Sequence, residues 1–290
     1  MGTNFDGLLV LDKPAGITSR DAVDRALRWF PRKTRIGHAG TLDPLATGVL
    51  VLCVGQATRL TEYVQRMSKH YQAEIQLGAT SDTDDADGAI TPFPDARVPN
   101  QDDVERELIS FVGAIDQLPP SFSAAKITGR RAYDLARKGQ DVILAPRTVS
   151  IHAIDIQLFT YPRLDVVVRC GKGTYIRSIA RDLGQRLGCG GYITALRRLA
   201  IGPFTANDAL HLDASFEQAR ARLLPIAQAT RDLTRITLTP AEIQRLRHGQ
   251  SIAVPAQVDA SDVAVFDDED RLRAIGTVID GQLRPSKVLV

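Results

Sequence analysis

One acidic residue, Asp43, stands in a turn whose composition suits a reactive carboxylate. The segment Gly37–Leu50 reads GHAGTLDPLATGVL, in which three glycines and Pro44 mark tight turns. The apolar run Val49–Val54 follows and is typical of a strand buried on both faces. A carboxylate at the mouth of such a strand is costly unless it is paired, so we predict that a cation from elsewhere in the chain approaches Asp43. The alternative is an ordinary turn aspartate that caps its own backbone.

A second residue that could take part in the chemistry is Arg177. After Cys170 the chain turns through two glycines into a predicted helix, with Thr174 as its N-cap and Gly188 at its end. Arg177 falls in the first turn, where the helix dipole disfavours a cation by roughly 0.3 to 1 kcal/mol. An arginine placed against the dipole indicates a specific carboxylate partner, and the alternative is a surface arginine that reaches into solvent.

Length and composition narrow the class of protein. The chain has 290 residues, 44% apolar and 24% charged, which is typical of a globular protein with one or two domains. No apolar stretch is long enough for a membrane-spanning helix, and the N-terminus lacks a signal-peptide pattern, so we expect a cytoplasmic protein. The three cysteines have neither disulfide nor zinc-ligand spacing.

Charge is unevenly distributed along the chain. Residues 121–200 contain 14 Lys or Arg and 5 Asp or Glu, although the net charge of the whole chain is only +2. Such a basic block favours a surface for nucleic-acid phosphates, and the alternative is a solvated face of mixed charge. The acidic clusters Asp82–Asp87 and Asp267–Asp270 do not have EF-hand spacing and are predicted to be solvated loops.

The elements that position Asp43 and Arg177 follow from periodicity. Residues Tyr71–Leu77 alternate between apolar and polar side chains, which predicts a half-buried strand. Further strands are predicted at Gly7–Leu11, Val149–Phe159 and Leu164–Cys170, and helices at Ser19–Phe30 with Ser19 as N-cap, Gln101–Val112, Arg131–Lys138 and Ala241–Arg247. The mixture predicts an α+β fold, a mainly antiparallel mixed sheet with flanking helices, followed by a small C-terminal β-rich domain.

Seven segments carry motifs in a fixed order. They are LDKPAGITS at Leu11–Ser19, GHAGTLDPLATGVL at Gly37–Leu50, GQATRL at Gly55–Leu60, KHYQAEIQLGATSDTDDADG at Lys69–Gly88, PPSFSAAKITGRRAYDLARKG at Pro119–Gly139, CGKGTYIRSIARDLG at Cys170–Gly184 and LRRLAIGPF at Leu196–Phe204. Together they closely resemble the TruB family of tRNA pseudouridine synthases. Gln56, where Glu is common, and Gly171, where Ser is frequent, depart from the family pattern.

The resemblance implies an isomerase that acts on the uridine at tRNA position 55, in the TΨC loop. The bond between C1′ and N1 breaks, the uracil rotates, and a new bond forms through C5. Such chemistry needs an ionised carboxylate, which the resemblance assigns to Asp43, and a dry pocket that holds the detached base. Whether the carboxylate adds to the sugar, adds to the base or removes the C2′ proton is left open by the sequence.

The resemblance also implies roles for six other residues. Tyr71 would stack on the target base, and Arg177 would pair with Asp43. Tyr175 and Leu196 would contact the substrate, His38 would help to open the RNA loop, and Lys13 would bind substrate. Taken alone, Tyr71 and Leu196 could equally be core residues and His38 a hydrogen-bonded structural residue.

The partner implied by the resemblance is the T-arm stem-loop of tRNA, bound by a monomer without a metal or organic cofactor, a membrane or a protein partner. We expect residues 1–230 to form the catalytic domain and residues 235–290 a PUA-like RNA-binding domain. The cations expected to face the RNA are Lys13, Lys126, Arg130, Arg131, Lys172, Arg197 and Arg198.

Two other functions compete with this interpretation. A carboxylate-dependent glycoside hydrolase or transferase shares chemistry at sugar C1′, but it usually needs a second carboxylate within about 5 to 10 Å, and none is evident near Asp43 in the sequence. A non-catalytic tRNA-binding or folding factor would explain the basic block alone. A P-loop is excluded, because Gly171–Thr174 lacks the upstream glycine of GxxxxGK[ST].

Overall fold

The computed structural model describes residues 5–122, 126–127, 130–131, 144–255 and 260–289. Apart from Arg131, the helix predicted at Arg131–Lys138 lies outside the described residues, as do the side chains of Lys126, Arg130 and Arg131. None of the helices in the described ranges is long and apolar enough to cross a membrane.

The first and larger part of the chain is built on a nine-stranded sheet. Its strands are β1 (Gly7–Lys13), β2 (Ile36–His38), β3 (Thr47–Val54), β4 (Lys69–Leu77), β7 (Gly113–Gln117), β10 (Arg147–Thr160), β11 (Arg163–Cys170), β12 (Gly191–Ile201) and β13 (Phe204–Thr205). The order is β1-β3-β12-β4-β11-β10-β7, with β2 paired to β3 and β13 to β12. All pairings are antiparallel except β12 with β3, which confirms the predicted mainly antiparallel mixed sheet.

Two short hairpins accompany this sheet, and five further strands form a second sheet near the C-terminus. The hairpin strands are β5 (Ala79–Ser81) with β6 (Ile90–Pro92), and β8 (Lys126–Ile127) with β9 (Arg130–Arg131). The second sheet contains β14 (Thr234–Thr237), β15 (Ile252–Ala253), β16 (Ala260–Phe266), β17 (Leu272–Ile279) and β18 (Gln282–Val288), in the order β14-β16-β17-β18-β15. The C-terminal part is therefore β-rich, as predicted.

The helices flank the sheets. In the described residues they are α1 (Ser19–Ala26), α2 (Thr61–Arg66), α3 (Gln101–Ile109), α4 (Ile176–Leu187), α5 (Phe216–Ala221) and α6 (Pro240–Arg247), with 3-10 turns at Leu27–Trp29, Gly55–Leu60, Ala206–Asp208 and Ile226–Thr230. Helix α4 packs the apolar stripe of Ile176, Ile179, Ala180 and Leu183 into the core formed by β4, β11 and β12.

Two of the predicted helix starts were wrong by one residue. The N-cap of α1 is Thr18, which forms a capping box with Asp21, so Ser19 is the first helical residue. The N-cap of α4 is Tyr175 rather than Thr174, and no side chain caps it. The end of α4 agrees with the prediction, because Gly188 adopts the left-handed conformation at φ +71°.

The most consequential strand that the sequence did not predict is β12. It lies between β3 and β4 and pairs with both, so it joins the strand that follows Asp43 to the strand that carries Tyr71. The approach of β12 to β3 is close at Gly48, where an added Cβ would come within 2.2 Å of the Arg198 carbonyl oxygen. Glycine at this position therefore permits the parallel pairing next to the Asp43 turn.

Candidate active site

The turn that carries Asp43 is held by the start of helix α1 and by the loop after β1. The Ser19 hydroxyl donates to the Leu42 carbonyl oxygen at 3.0 Å and accepts from the Leu42 amide at 2.8 Å. The Gly16 amide donates to the Pro44 carbonyl oxygen at 2.9 Å. These bonds fix the backbone on both sides of Asp43, so the position of its carboxylate is set by the scaffold.

Asp43 forms an ion pair with Arg177. The sequence predicted that a cation from elsewhere in the chain would approach this carboxylate. The distance from Arg177 Nη2 to Asp43 Oδ2 is 3.0 Å, although the two residues are far apart in the chain. The Arg177 side chain is 5% exposed and that of Asp43 37%. The carboxylate thus meets a buried guanidinium on one side and remains open on the other.

The guanidinium of Arg177 has a second carboxylate partner, Asp85. Arg177 Nη1 lies 3.0 Å from Asp85 Oδ2. Nη1 also donates to the carbonyl oxygen of Thr83, and Nη2 to that of Phe122, both at 2.8 Å. Asp85 is 4% exposed, and its other oxygen accepts from the Thr83 hydroxyl at 2.6 Å. The prediction that Asp82–Asp87 is a solvated loop was therefore wrong for Asp85, as was the expectation that no second carboxylate lies near Asp43.

These neighbours act on the pKa of Asp43 in opposite directions. Burial raises the pKa of its carboxyl group above the ordinary value, and the negative charge of Asp85 acts in the same direction. The positive charges of Arg177 and Lys13 lower the pKa of Asp43. The two cations therefore favour the ionised carboxylate at a site where desolvation opposes it.

Lys13 lies behind the Asp43 turn rather than on an RNA-facing surface. The residue is fully buried, and its ammonium donates to the carbonyl oxygens of Pro14 and Ile17, both at 2.8 Å, and of Pro44 at 3.4 Å. Burial lowers the pKa of Lys13 to about 8. The expectation that Lys13 binds the substrate directly was wrong, because its three donors are used inside the protein.

Tyr71 faces Asp43 from strand β4 and is held by Arg198 of strand β12. Tyr71 is 9% exposed, and Arg198 Nη1 donates to its hydroxyl oxygen at 3.4 Å. The same guanidinium donates to the carbonyl oxygens of Gly40 at 3.0 Å and Val49 at 2.7 Å, on either side of Asp43. Arg198 is 1% exposed, so it lies in the wall of the site and not on the outer surface of the protein. It ties the Asp43 turn to the strand of Tyr71.

A cavity of about 380 Å³ opens beside these residues. Its lining includes five of the predicted site residues, together with the turn Gly171–Gly173; the five are Asp43, Tyr71, Tyr175, Arg177 and Leu196. The backbone of Tyr175 is fixed by Gln117, whose side chain accepts from its amide at 2.8 Å and donates to its carbonyl at 3.0 Å. Burial raises the pKa of Tyr71, so its phenol stays protonated against the cavity.

Of two further predicted cations and the predicted histidine, only Lys172 belongs to the described lining of this cavity. Lys172 is exposed in the turn at its rim. Arg197 is partly exposed and pairs with Asp12 at 2.7 Å, so its charge is already matched. His38 is half-buried at the end of β2, directly before the segment that begins the lining at Ala39. It is absent from the cavity lining in the part of the chain that the structure describes.

A larger neighbouring cavity of about 680 Å³ lies beside the same strands but lacks Asp43 and Tyr71. Its two lining arginines are already paired, because Arg163 binds both Glu74 and Asp165 at 2.8 Å and Arg197 binds Asp12. The smaller cavity combines an open carboxylate, a buried arginine and an aromatic wall, so it is the candidate active site.

Comparison with known protein families and structures identifies relatives of the whole chain. Residues 28–176 match the TruB family pseudouridylate synthase (N terminal domain), residues 177–225 the tRNA pseudouridylate synthase B C-terminal domain, and residues 234–289 the pseudouridine synthase II TruB C-terminal family. Proteins called tRNA pseudouridine synthase B are similar over nearly the whole chain. The one from Ruegeria sp. (strain TM1040) is 41% identical, covering 99% of this chain and 97% of its own. The one from Xanthomonas campestris pv. campestris (strain B100) is 42% identical, covering 97% and 93%.

A solved structure of a Cbf5-Nop10-Gar1 complex contains a chain with the same fold. It superposes with a TM-score of 0.74 and is 25% identical, covering 99% of this chain and 84% of its own. A chain from an H/ACA RNP bound to a substrate RNA containing 2′-deoxyuridine gives a TM-score of 0.75 at 23% identity, covering 99% and 86%. The arrangement of both sheets is therefore shared with solved proteins.

Proposed function

The chain belongs to the TruB family of pseudouridine synthases, and we propose that it converts the uridine at tRNA position 55, in the T loop, into pseudouridine. The observation that carries the proposal is the Asp43 carboxylate, 37% exposed at the cavity and paired at 3.0 Å with buried Arg177. The relatives named tRNA pseudouridine synthase B support tRNA as the substrate class.

The reaction is an isomerisation in which atoms and charges balance. The C1′–N1 bond of the uridine breaks, the uracil turns within the cavity, and C5 bonds to C1′; C5 then loses its proton, and N1 gains one. We assign to Asp43 the addition to the sugar or base, or the removal of the C2′ proton, and the positive charge of Arg177 favours its ionised form. These three routes share the same requirement, an oriented carboxylate that is open on one side.

The walls of the cavity suit a base that has been taken out of its RNA stack. Extrusion costs a few kcal/mol, and stacking on an aromatic ring returns roughly 1 to 3 kcal/mol per base. Tyr71 supplies the ring and Leu196 an apolar surface, and Tyr175, whose backbone is held by Gln117, forms a further side of the cavity. We propose that the base lies between Tyr71 and Leu196 and that His38 helps to open the RNA loop at the entrance.

We propose that the chain has the catalytic domain and the RNA-binding domain that its sequence predicts. Residues 1–230 contain all the described residues of the cavity lining and would form the catalytic domain of a cytoplasmic monomer. Residues 235–290 contain nearly all of the described C-terminal sheet and would contact the RNA away from the reacting base.

Incubation with an unmodified tRNA transcript, followed by mapping of pseudouridine, tests this function. We expect pseudouridine at position 55 with the wild-type protein, none with Asp43→Asn, and unchanged RNA affinity for that variant. Asp95→Asn serves as the control, because Asp95 is exposed and lies outside the cavity lining in the described residues. Pseudouridine at other positions, or none with wild-type protein, would overturn the assignment.

Because Asp85 is a second carboxylate at the site, the glycoside hydrolase alternative must also be tested, and the same assay does so. Both carboxylates bind one guanidinium, but Asp85 is 4% exposed and is absent from the described cavity lining. It is therefore poorly placed to protonate a leaving group. Release of free uracil from the transcript would favour hydrolysis, and retention of all uracil in the RNA favours isomerisation.

A further inference from the structure

The cavity around Asp43 contains more positive charge than the proposed isomerisation uses. Its charged lining residues are Lys69, Lys172, Arg177 and Arg198 on the positive side, and Asp43 on the negative side. Arg177 is balanced by the carboxylates of Asp43 and Asp85. In the described ranges, no carboxylate forms an ion pair with the other three cations.

Lys69 is the cation whose position is hardest to explain by structure alone. It begins strand β4 two residues before Tyr71, so both side chains lie on the same face of the sheet. The residue is 6% exposed, and its ammonium donates to the Met67 carbonyl oxygen at 2.5 Å and to the Gln65 carbonyl oxygen. An ammonium has three N–H donors, so one remains for a ligand in the cavity that Lys69 lines.

The surroundings of Lys69 oppose its charge. Burial lowers the pKa of Lys69 to about 8, and the positive charges of Arg198 and Lys172 contribute in the same direction. Cys170, on the neighbouring strand β11, acts in the opposite direction. Two neutral carbonyl groups do not balance a buried cation, whereas a bound anion would.

Lys172 extends the same positive surface to the mouth of the cavity. It is exposed in the turn between Gly171 and Gly173, and this turn lines the cavity together with Lys69. One ammonium therefore lies inside the cavity and one at its rim. A group that enters beside the base would meet both.

We propose that Lys69 and Lys172 bind one of the two phosphodiester groups that flank the flipped uridine. The inference rests on the proposed function, since an RNA strand brings a permanently charged phosphate next to every base that enters the cavity. Lysine binds phosphate as a point charge and needs no fixed geometry. The contact would hold the nucleotide by its backbone as well as its base, and so offset part of the cost of extrusion.

The test uses T-arm stem-loop RNAs that carry a neutral methylphosphonate linkage on either the 5′ or the 3′ side of the target uridine. The dissociation constant of each RNA is measured with wild-type protein, Lys69→Met, Lys172→Gln and the control Arg97→Gln. Arg97 is 76% exposed and pairs with Asp103, outside the described cavity lining. The control therefore removes one positive charge without touching the proposed site.

We expect one of the two neutral linkages to weaken wild-type binding by about tenfold, the size of a lost charge-assisted hydrogen bond. The same linkage should weaken Lys69→Met and Lys172→Gln by no more than about twofold, because their contact to that phosphate is already reduced. Arg97→Gln should behave like wild-type protein.

Equal losses in all four proteins, for both linkages, would overturn the phosphate site. If Lys69→Met does not fold, Lys172→Gln decides the outcome, because Lys172 is exposed and its side chain supports no buried contact in the described structure. Pseudouridine formation on the unmodified stem-loop is measured in parallel. Its absence with wild-type protein would refute the proposed function, whereas additive binding losses with normal product would refute only the phosphate site.

Discussion

Replacement of Arg198 by Met should damage both stability and catalysis, and its neighbour Arg197 provides the matched control. Arg198→Met removes the donors to the carbonyl oxygens of Gly40 and Val49, which lie at 3.0 and 2.7 Å from the guanidinium. A buried carbonyl left without a donor costs about 1 to 3 kcal/mol. Two such groups would cost about 2 to 6 kcal/mol. Part of this cost is offset, because the Met variant no longer buries a charged arginine that lacks a carboxylate partner.

We therefore expect the free energy of unfolding of Arg198→Met to fall by about 2 to 4 kcal/mol, which lowers the melting temperature by roughly 4 to 16 °C. The catalytic effect has a separate cause. Arg198 holds the backbone on both sides of Asp43, and a displacement of about 1 Å at a reacting group can cost on the order of 100-fold in rate. Arg198→Lys keeps the charge and one or two of the contacts, so its rate should lie between those of Met and wild type.

Thermal unfolding and single-turnover pseudouridine formation at saturating protein measure the two effects separately. Arg197→Met should change the free energy of unfolding by no more than about 1 kcal/mol, because the Arg197 side chain is 37% exposed and its ion pair with Asp12 is accessible to solvent. Its single-turnover rate should stay close to wild type. Equal damage from the two replacements would refute the positioning role of Arg198, as would a normal rate in Arg198→Met.

Three further predictions concern the charges and the backbone of the site. Arg177→Gln should shift the acid limb of the pH–rate profile to higher pH, because Arg177 lowers the pKa of Asp43. Asp85→Asn should shift the acid limb to lower pH, because Asp85 raises the pKa of Asp43. Shifts of the same sign in the two variants would contradict this account. RNA affinity of the wild-type protein should fall as the pH rises through about 8, where Lys69 loses its proton, and Lys69→Met should lack that fall in a binding titration across pH 7 to 9. Gly48→Ala should lower the melting temperature strongly, since Gly48 has a φ of +97° and an added Cβ would lie 2.2 Å from a backbone carbonyl oxygen of β12; an unchanged melting curve would contradict the packing described.

Periodicity and motif order were sufficient to predict much of the fold and the central ion pair. The apolar run after Asp43 is the buried strand β3, and the alternation at Tyr71–Leu77 is the half-buried strand β4. The family resemblance predicted that Asp43 and Arg177 form a pair. Spacing could not do so, because their contact depends on how helix α4 packs against the sheet.

The residues that the sequence misplaced are charged groups that the fold buries. Asp85 lies in a run of acidic residues that is typical of a solvent-exposed loop, and its burial depends on a charge partner, Arg177, that is distant in the sequence. Arg198 had a usable signal, since period-two alternation through LRRLAI places it on the same face as Leu196 and Ala200. That signal was missed because the strand itself was not predicted.

If Asp43 is the reactive carboxylate, as we propose, two different arginines control its charge and its position. Arg177 contacts the Asp43 side chain and so sets its charge, whereas Arg198 contacts the backbone around Asp43 and so sets its position. A loss of charge control should change the pH at which the enzyme works, because it alters the pKa of Asp43. A loss of position should lower the rate by a similar factor at every pH, because the ionised fraction is unaffected. Comparison of complete pH–rate profiles for Arg177→Gln and Arg198→Met therefore distinguishes the two roles, and profiles of identical shape would show that the separation is wrong.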